Sequence, residues 1–386
     1  MIKVTPIRIF HGIITILHIP LLMIILIIRP LVKINFGYFS SGRIGHFALD
    51  LAFTIAQDKY RKKNEINLYY LQDKVCNTQL KIIAKRELNV NQYYKYFVYS
   101  YMLLGFTSQI VQPGRHTNGS RDTTGLMLNS KYNILLSNKE NDTSESYMKS
   151  HGWKHTDKFV CLNVRDSAFF NEKVTSRHAY RNSNIADYED TIKYLIDLGY
   201  WVIRMGKKVN SPIKIKHKKI IDYGMDPNRS DLLDIWLSKN CEFFISTSTG
   251  IDGVAIMFKK PIVIVNLLPI AHIYSWCNGI TAPKKLFWSN GNQLTLTEYL
   301  NNAQSKKYKE KGIKIVNLSP LEIKDSVQEM IAHINKIPLT IKQIQNQEKF
   351  WDILENHDSY NKYHGIRNPN SKISASFIKN NSNFLV

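Results

Sequence analysis

Arginines, hydroxyls and one histidine recur in this chain just where apolar runs end. "NVRDSAFF" places Arg165 and Asp166 directly after such a run. Opposite charges there are costly to bury unless each other or a ligand satisfies them. "TSRHAYRNSNIADY" carries Arg177, His178, Tyr180, Arg181 and Asn182 on a loop before a helix. Guanidinium groups take phosphate oxygens in bidentate fashion, so converging arginines read as a diphosphate clamp; each taken alone also fits a solvated basic loop. "WVIRMG" repeats the arrangement with Arg204 and Gly206. "FFISTSTGIDGVAIMFKKPIVIVN" sets Ser246, Thr247, Ser248 and Thr249 at a strand end and Gly250 at the entry to a helix whose first amide protons lack internal partners. Such a turn suits an anion, with the hydroxyls as extra donors; a plain capping turn is the simpler alternative, with Asp252 balancing the helix dipole. Asp222, Tyr223 and Ser230 are candidates for shaping a base or ribose pocket.

Near the amino end, "SSGRIGHFALD" is a glycine-bearing turn from strand to helix, with Arg43, Gly45 and His46. It lacks the GxGxxG spacing of a dinucleotide site, which disfavours an NAD enzyme. His46 falls in the first helical turn, where an imidazole of ordinary pKa about 6.5 suits a general base. A helix-capping or supporting histidine is the competing reading.

The elements that must position these residues follow a parallel-sheet grammar. "LVKINF" is a strand candidate, "RIGHFALDLAFTIAQDKYRKK" a helix and "INLYYL" a second strand. An aromatic-rich helix around Tyr93 to Leu104, a Gly/Arg/Thr loop and a strand at "YNILLS" follow, and the polar run from Ser137 to Ser150 reads as an interdomain connection. A second alternating series starts at "FVCLNV" and runs through "YWVIRM", "KIIDY", "EFFIS" and "PIVIVN" with helices between. This is a doubly wound nucleotide-binding layout, whose ligands sit beyond the carboxyl ends of the strands. "SPLE" at Ser319 looks like a capping box opening a helix to about Asn335, with another from Leu339 to about Glu355.

With 386 residues, 44% of them hydrophobic, the chain is long enough for two domains with large cores. The net charge of +21 draws polyanions: nucleic acid, anionic lipid or a phosphorylated substrate. Cys76, Cys161, Cys241 and Cys277 lack the paired spacing of a zinc site or redox dithiol and read as reduced core residues. From Ile9 to Ile28 the sequence carries no formal charge; such a helix would reach roughly 30 Å, enough to cross a bilayer. His11, His18 and Pro20 interrupt it, and Lys3, Arg8, Arg29 and Lys33 flank it. It therefore reads as spanning, as lying in the interface, or as packed on the globular body.

"RIGH", "VRDSAFF", "YRNSNIADY", "VIRMG", "DIWLSKNCEFFISTSTGIDGVAIMFKKP" and a late "HGIR" with "ISASFI" together resemble a family of bacterial glycosyltransferases found with cell-surface polysaccharide and lipopolysaccharide synthesis genes. The likeness runs from about Leu31 to about Ile378. It implies an α/β fold of two Rossmann-like domains facing a cleft (GT-B-like): a hydrophobic helix in residues 1–30, an acceptor-side domain in 31–150, a donor-binding domain in 151–318, and helices in 319–386 that cross back to the first domain. It places Gly45 and His46 on the acceptor side, Arg165 and Asp166 at the interdomain edge, and "STSTG" against the donor phosphates. No cofactor is expected beyond a nucleotide sugar as co-substrate, and no metal-binding DxD pair stands at a strand end. The expected partners are a nucleotide-sugar donor, a glycan or lipid-linked acceptor and the cytoplasmic face of the inner membrane, with no nucleic acid.

In such a transfer, cations aimed at the leaving phosphate lower the barrier, and Arg165, Arg181, Arg204 and the Gly250 helix are the candidates. If configuration inverts, His46 is the first choice of base and Asp166 the second. A non-catalytic binder of RNA or anionic lipid, and another nucleotide-linked group transferase, are the rival readings.

Overall fold

A computed structural model describes residues 6–72, 74–116, 120–168, 179–303 and 305–386. The chain divides into two compact units. Unit 1 is Met1–Arg121 with Asn129–Ile134; unit 2 is Asp122–Leu128 with Leu135–Val386.

In unit 1 the apolar amino-terminal run forms helices α1 (Pro6–Leu17) and α2 (Ile19–Ile27), separated at His18 with Pro20 in the first turn of α2. Three parallel strands follow, β1 (Lys33–Phe39), β2 (Glu65–Leu71) and β3 (Asn89–Val90), in spatial order β1-β2-β3. Helices α3 (Ile44–Asp58) and α4 (Thr78–Glu87) make the crossovers. The two-residue period of β1 sorts its aromatics to opposite faces. Phe36 and Tyr38 join Leu22, Phe97, Val98 and Tyr101 in a core shared with α2 and α5 (Lys95–Leu103), while Phe39 meets Phe47 of α3. Phe36 and Phe97 stack at 4.3 Å.

Unit 2 is a seven-stranded, all-parallel sheet in the order β12-β9-β8-β7-β4-β5-β6. Its strands are β4 (Phe159–Asn163), β5 (Trp201–Arg204), β6 (Ile220–Ile221), β7 (Phe244–Ser246), β8 (Ile262–Leu267), β9 (Gly279–Pro283) and β12 (Ser371–Ile373). A separate antiparallel pair, β10 (Lys285–Phe287) with β11 (Lys314–Val316), lies between them in sequence. From β4 the chain winds outward through β5 and β6, then returns to β7 on the other side of β4 and winds the opposite way. The reversal makes a topological switch point between β4 and β7, where open parallel sheets leave a crevice at their carboxyl ends. β4 and β8 are buried along their whole length, as strands covered on both faces must be.

Several expectations are revised. The polar run after Ser137 is not a connection but a helix, Asn138–Ser150, closed by a capping box and packed on the helix Asp231–Asn240 of unit 2. The boundary thus falls before this helix rather than at residue 150. "YNILLS" forms no ladder: Tyr132, Ile134 and Leu136 are buried alternately, as in a strand, but the segment is an extended connection. The helices beyond Ser319 cover the sheet of unit 2. Pro320–Ile334 packs on β8 and β9, and Ile341–Glu355 packs on β12, where Gln347 bonds both the amide (3.0 Å) and the carbonyl (2.7 Å) of Ile373.

The late "HGIR" motif has a packing explanation. Ile366 N donates to Thr123 O at 3.1 Å, and a Cβ on Gly365 would stand 1.9 Å from that same oxygen. Replacing Gly365 with alanine is expected to force the two segments apart and lower stability by about 1–3 kcal/mol, measurable by denaturant unfolding.

Candidate functional site

At the switch point, the "STSTG" turn after β7 is built around a carboxylate of its own. Asp252 is fully buried in the first turn of the helix Asp252–Met257. Its Oδ2 accepts from Thr249 N at 2.7 Å, and its Oδ1 accepts from the hydroxyls of Ser246 and of Thr249, the latter at 3.1 Å. Burial, opposed by these hydrogen bonds and by the charge of Arg181, pushes its pKa up to about 6. The other two hydroxyls also have protein partners: Thr247 Oγ1 accepts from Arg165 N at 2.9 Å, and Ser248 Oγ lies 3.3 Å from Tyr274 OH. Asn163, the last residue of β4, donates to Thr249 Oγ1 at 2.6 Å. Gly250 is exposed at the apex. Thus the hydroxyls and the amide of Thr249 are engaged by protein groups, and what the turn presents outward is its geometry. Ser248 stands in the left-handed region (φ 60°), and its carbonyl accepts from the guanidinium of Arg181.

Three cations gather around this turn. Arg165, half-buried after β4, donates from Nε to Asn182 Oδ1 at 3.3 Å. Arg181 and Asn182 close the short 3-10 turn Ala179–Arg181. Lys284, directly after β9 and 2% exposed, donates to the carbonyl of the same Asn182 at 2.8 Å and to Asn317 Oδ1 at 2.6 Å. Asn182 therefore links Arg165 through its side chain to Lys284 through its main chain. Burial and the neighbouring charge of Arg181 lower the pKa of Arg165 to about 10. Burial lowers that of Lys284 to about 8, partly countered by Asp187. Among the described residues, neither Arg181 nor Lys284 makes an ion pair. The like charges of Arg165 and Arg181, brought together at low dielectric, favour an anion between them.

Arg204 plays a different part. It is 1% exposed, with its guanidinium bonded to Ser211 O and to both carboxylate oxygens of Asp222 (3.3 and 3.4 Å), and 3.9 Å from Asp166. Asp166 accepts from Ala168 N (2.9 Å) and Asn210 N (2.8 Å), so it organises the loop beyond β5 rather than pairing with Arg165. Asp222 also accepts from Ile213 N at 2.8 Å. Gly206, at φ 149°, lies where a Cβ would meet Val209 at 2.6 Å. Tyr223 is wholly buried, its hydroxyl 2.9 Å from both Asp234 Oδ1 and Ser230 O, an interior joint rather than a pocket wall. Arg177 and His178 lie outside the described residues.

In unit 1, the turn after β1 leads into α3 with Arg43 exposed at the cap, and with Gly45 and His46 half-buried in the first turn. His46 Nδ1 lies 2.9 Å from Ser120 Oγ. Burial, then the charges of Arg43 and Arg121, hold its pKa below 6.5, so it is neutral at pH 7. Among the described residues, no group of three or more His, Cys, Asp or Glu side chains could hold a metal ion.

No family model and no curated protein matches the sequence. A solved structure of a glycosyl transferase family 9 protein from Veillonella parvula DSM 2008 superposes with a TM-score of 0.50 at 10% identity, over 78% of this chain and 98% of that one. The chain has a GT-B-like α/β fold. Similar structures include the E. coli ADP-heptose lipopolysaccharide heptosyltransferase II (TM-score 0.44, 10% identity, 79% and 100% covered) and the E. coli heptosyltransferase WaaC with ADP (0.31, 13%, 72% and 98%). Lys284 and Asn163 belong to the cluster and escape a reading by motif. The signal for Lys284 is the same as for the arginines, a polar residue directly after a buried strand, but the glycine, threonine and proline of "GITAP" disguise the strand.

Asp252 gives the site a pH signature. Its folded pKa is raised above the unfolded value of 3.8. Its ionisation therefore costs stability as pH rises between about 4 and 6, on the order of 2–3 kcal/mol. Thermal melts of Asp252→Asn are expected to lack that part of the decline between pH 4 and about 6 that the parent shows.

Proposed function

We propose that this protein transfers a glycosyl group from a nucleotide-diphosphate sugar to a glycan or lipid-linked acceptor at the cytoplasmic face of the inner membrane. The observation that carries this reading is that Arg165 and Lys284 both bond Asn182, beside Arg181 anchored on the Ser248 carbonyl, at the switch point of the unit 2 sheet. A doubly wound sheet takes its nucleotide there. A leaving nucleoside diphosphate gains negative charge as the glycosidic bond breaks, and fixed cations stabilise that charge with little reorganisation. In this reading Arg165, Arg181 and Lys284 face the pyrophosphate, and Arg204, with Asp166 and Asp222, positions the loop beside it. The charge stabilisation comes from side chains, so turnover is expected to survive EDTA. The glycan or lipid-linked acceptor follows from the resemblance carried by "RIGH", "VRDSAFF" and "STSTG".

For an inverting reaction the acceptor hydroxyl needs a base. His46 is suited to it: in the tautomer whose Nδ1–H donates to Ser120 Oγ, the lone pair of Nε2 remains for the acceptor, and the lowered pKa favours the unprotonated ring at neutral pH. Replacing His46 with glutamine is expected to lower kcat by about 10²–10⁴-fold with little change in donor affinity. A variant with normal kcat assigns the base elsewhere.

Arg165→Ala is expected to cost about 2–4 kcal/mol of transition-state stabilisation, read as a loss in kcat/KM with an unchanged circular dichroism spectrum. Donor affinity, followed by thermal shift across a panel of nucleotide sugars, should weaken as pH rises through about 8, where Lys284 loses its proton, and Lys284→Met should flatten that profile. A flat thermal response of the parent to every donor in the panel would falsify the transferase reading.

A further inference from the structure

The polar residues of the apolar amino-terminal run all turn toward the protein. His11 Nδ1 meets Tyr96 OH at 2.9 Å, and the carbonyl of Thr15 accepts from Ser100 Oγ at 2.9 Å. His18 bonds Ile14 O (2.6 Å) and Tyr93 OH, stacks on Tyr96 and meets Phe97 edge-on. Four residues further on, Leu22 is fully buried in the unit 1 core. α1 and α2 are therefore laid along α5, held by hydrogen bonds on one side.

The opposite side is apolar and exposed: Ile13 (53%), Leu17 (69%) and Ile27 (74%) stand in solvent. The last turn of α5 and the loop after it add Leu103 (61%) and Phe106 (43%). Monomeric soluble proteins rarely leave so many large apolar side chains of one unit uncovered. Charge says what covers it. Residues 1–121 hold sixteen Lys and Arg against five Asp and Glu, and no acidic residue precedes Asp50 or falls in α5. An apolar face without a carboxylate, in a strongly basic unit, matches an anionic lipid surface.

We infer that unit 1 docks on an anionic membrane through this face, with α1 and α2 lying along the surface together with the end of α5 rather than crossing the bilayer. The run from Ile9 to Ile27 is long and apolar enough to cross a bilayer, with a one-residue interruption at His18, but a helix crossing alone must show hydrocarbon-compatible groups on every side, whereas this one is hydrogen-bonded to tyrosines and a serine along one side. The inference rests on the membrane placement proposed above and says how it is achieved, but it uses none of the unit 2 site, so vesicle binding and donor turnover can fail separately.

The test is flotation of the full chain with vesicles of phosphatidylcholine alone or with added phosphatidylglycerol. The chain should rise with the anionic vesicles, rise poorly with the neutral ones, and be released from membranes by alkaline carbonate. The double substitution Leu103→Glu with Phe106→Glu should weaken vesicle binding on the order of tenfold or more while leaving the melting temperature in place. Ile13→Glu should do the same from α1. Parental binding by both variants, or a chain that carbonate fails to release, means that the run crosses the bilayer and overturns the inference. A stable dimer by light scattering that does not float overturns it as well, because a second copy then covers the face.

Discussion

A single buried carboxylate sets the geometry of the candidate site. Asp252 gathers the Ser246 hydroxyl, the Thr249 hydroxyl and the Thr249 amide, and so fixes the chain at the end of β7 in a left-handed kink at Ser248. That kink holds the carbonyl to which Arg181 is anchored, and the adjacent Thr247 hydroxyl receives the amide of Arg165. The contacts that place both arginines thus run through the turn this carboxylate holds. An anion at the head of a short helix is favourable on electrostatic grounds, and here the protein supplies that anion itself.

The consequence for binding is a separation of roles. The turn's hydroxyls and the Thr249 amide are engaged by protein groups, which makes it a scaffold, and the cations around it supply the attraction. Desolvating two guanidinium groups and an ammonium costs free energy in the absence of a ligand, as the depressed pKa values of Arg165 and Lys284 record. That cost is offset when an anion enters. Arg204 belongs on the other side of this division: two carboxylates neutralise it, so its charge organises a loop.

How much of this was legible in the sequence depended on whether the deciding contact was local. The doubly wound sheet was readable because "FVCLNV" and "PIVIVN" are unbroken apolar runs, which only a strand covered on both faces tolerates. β9 was not, because "GITAP" gains its pairing from β8 and β12 on either side, and Gly279 is required where a Cβ would stand 2.8 Å from Ile262 O. "YNILLS" misled in the opposite direction: alternation reports alternate burial, and a ladder needs a partner that the pattern does not encode. Among the strand-end arginines the sequence marked all the described ones, but Arg204 could be told apart only by Asp166 and Asp222, which reach it from separate loops. The hydroxyl turn was located correctly as a turn, while its occupant, two residues past Gly250, was read as a dipole counter-charge rather than as the group the hydroxyls face.

The seventh strand carries a further consequence. β12 is three residues long, and the side chain of Gln347 satisfies both main-chain groups of Ile373, standing in for the neighbour that an edge strand lacks. A primary amide used this way acts as a plug against templated strand addition, the route by which open sheets recruit other chains into aggregates. Without β12 and its glutamine, the longer ladder of β9 would become the border of the sheet, with unpaired main-chain groups facing outward. The carboxyl-terminal segment therefore protects solubility as well as completing the sheet.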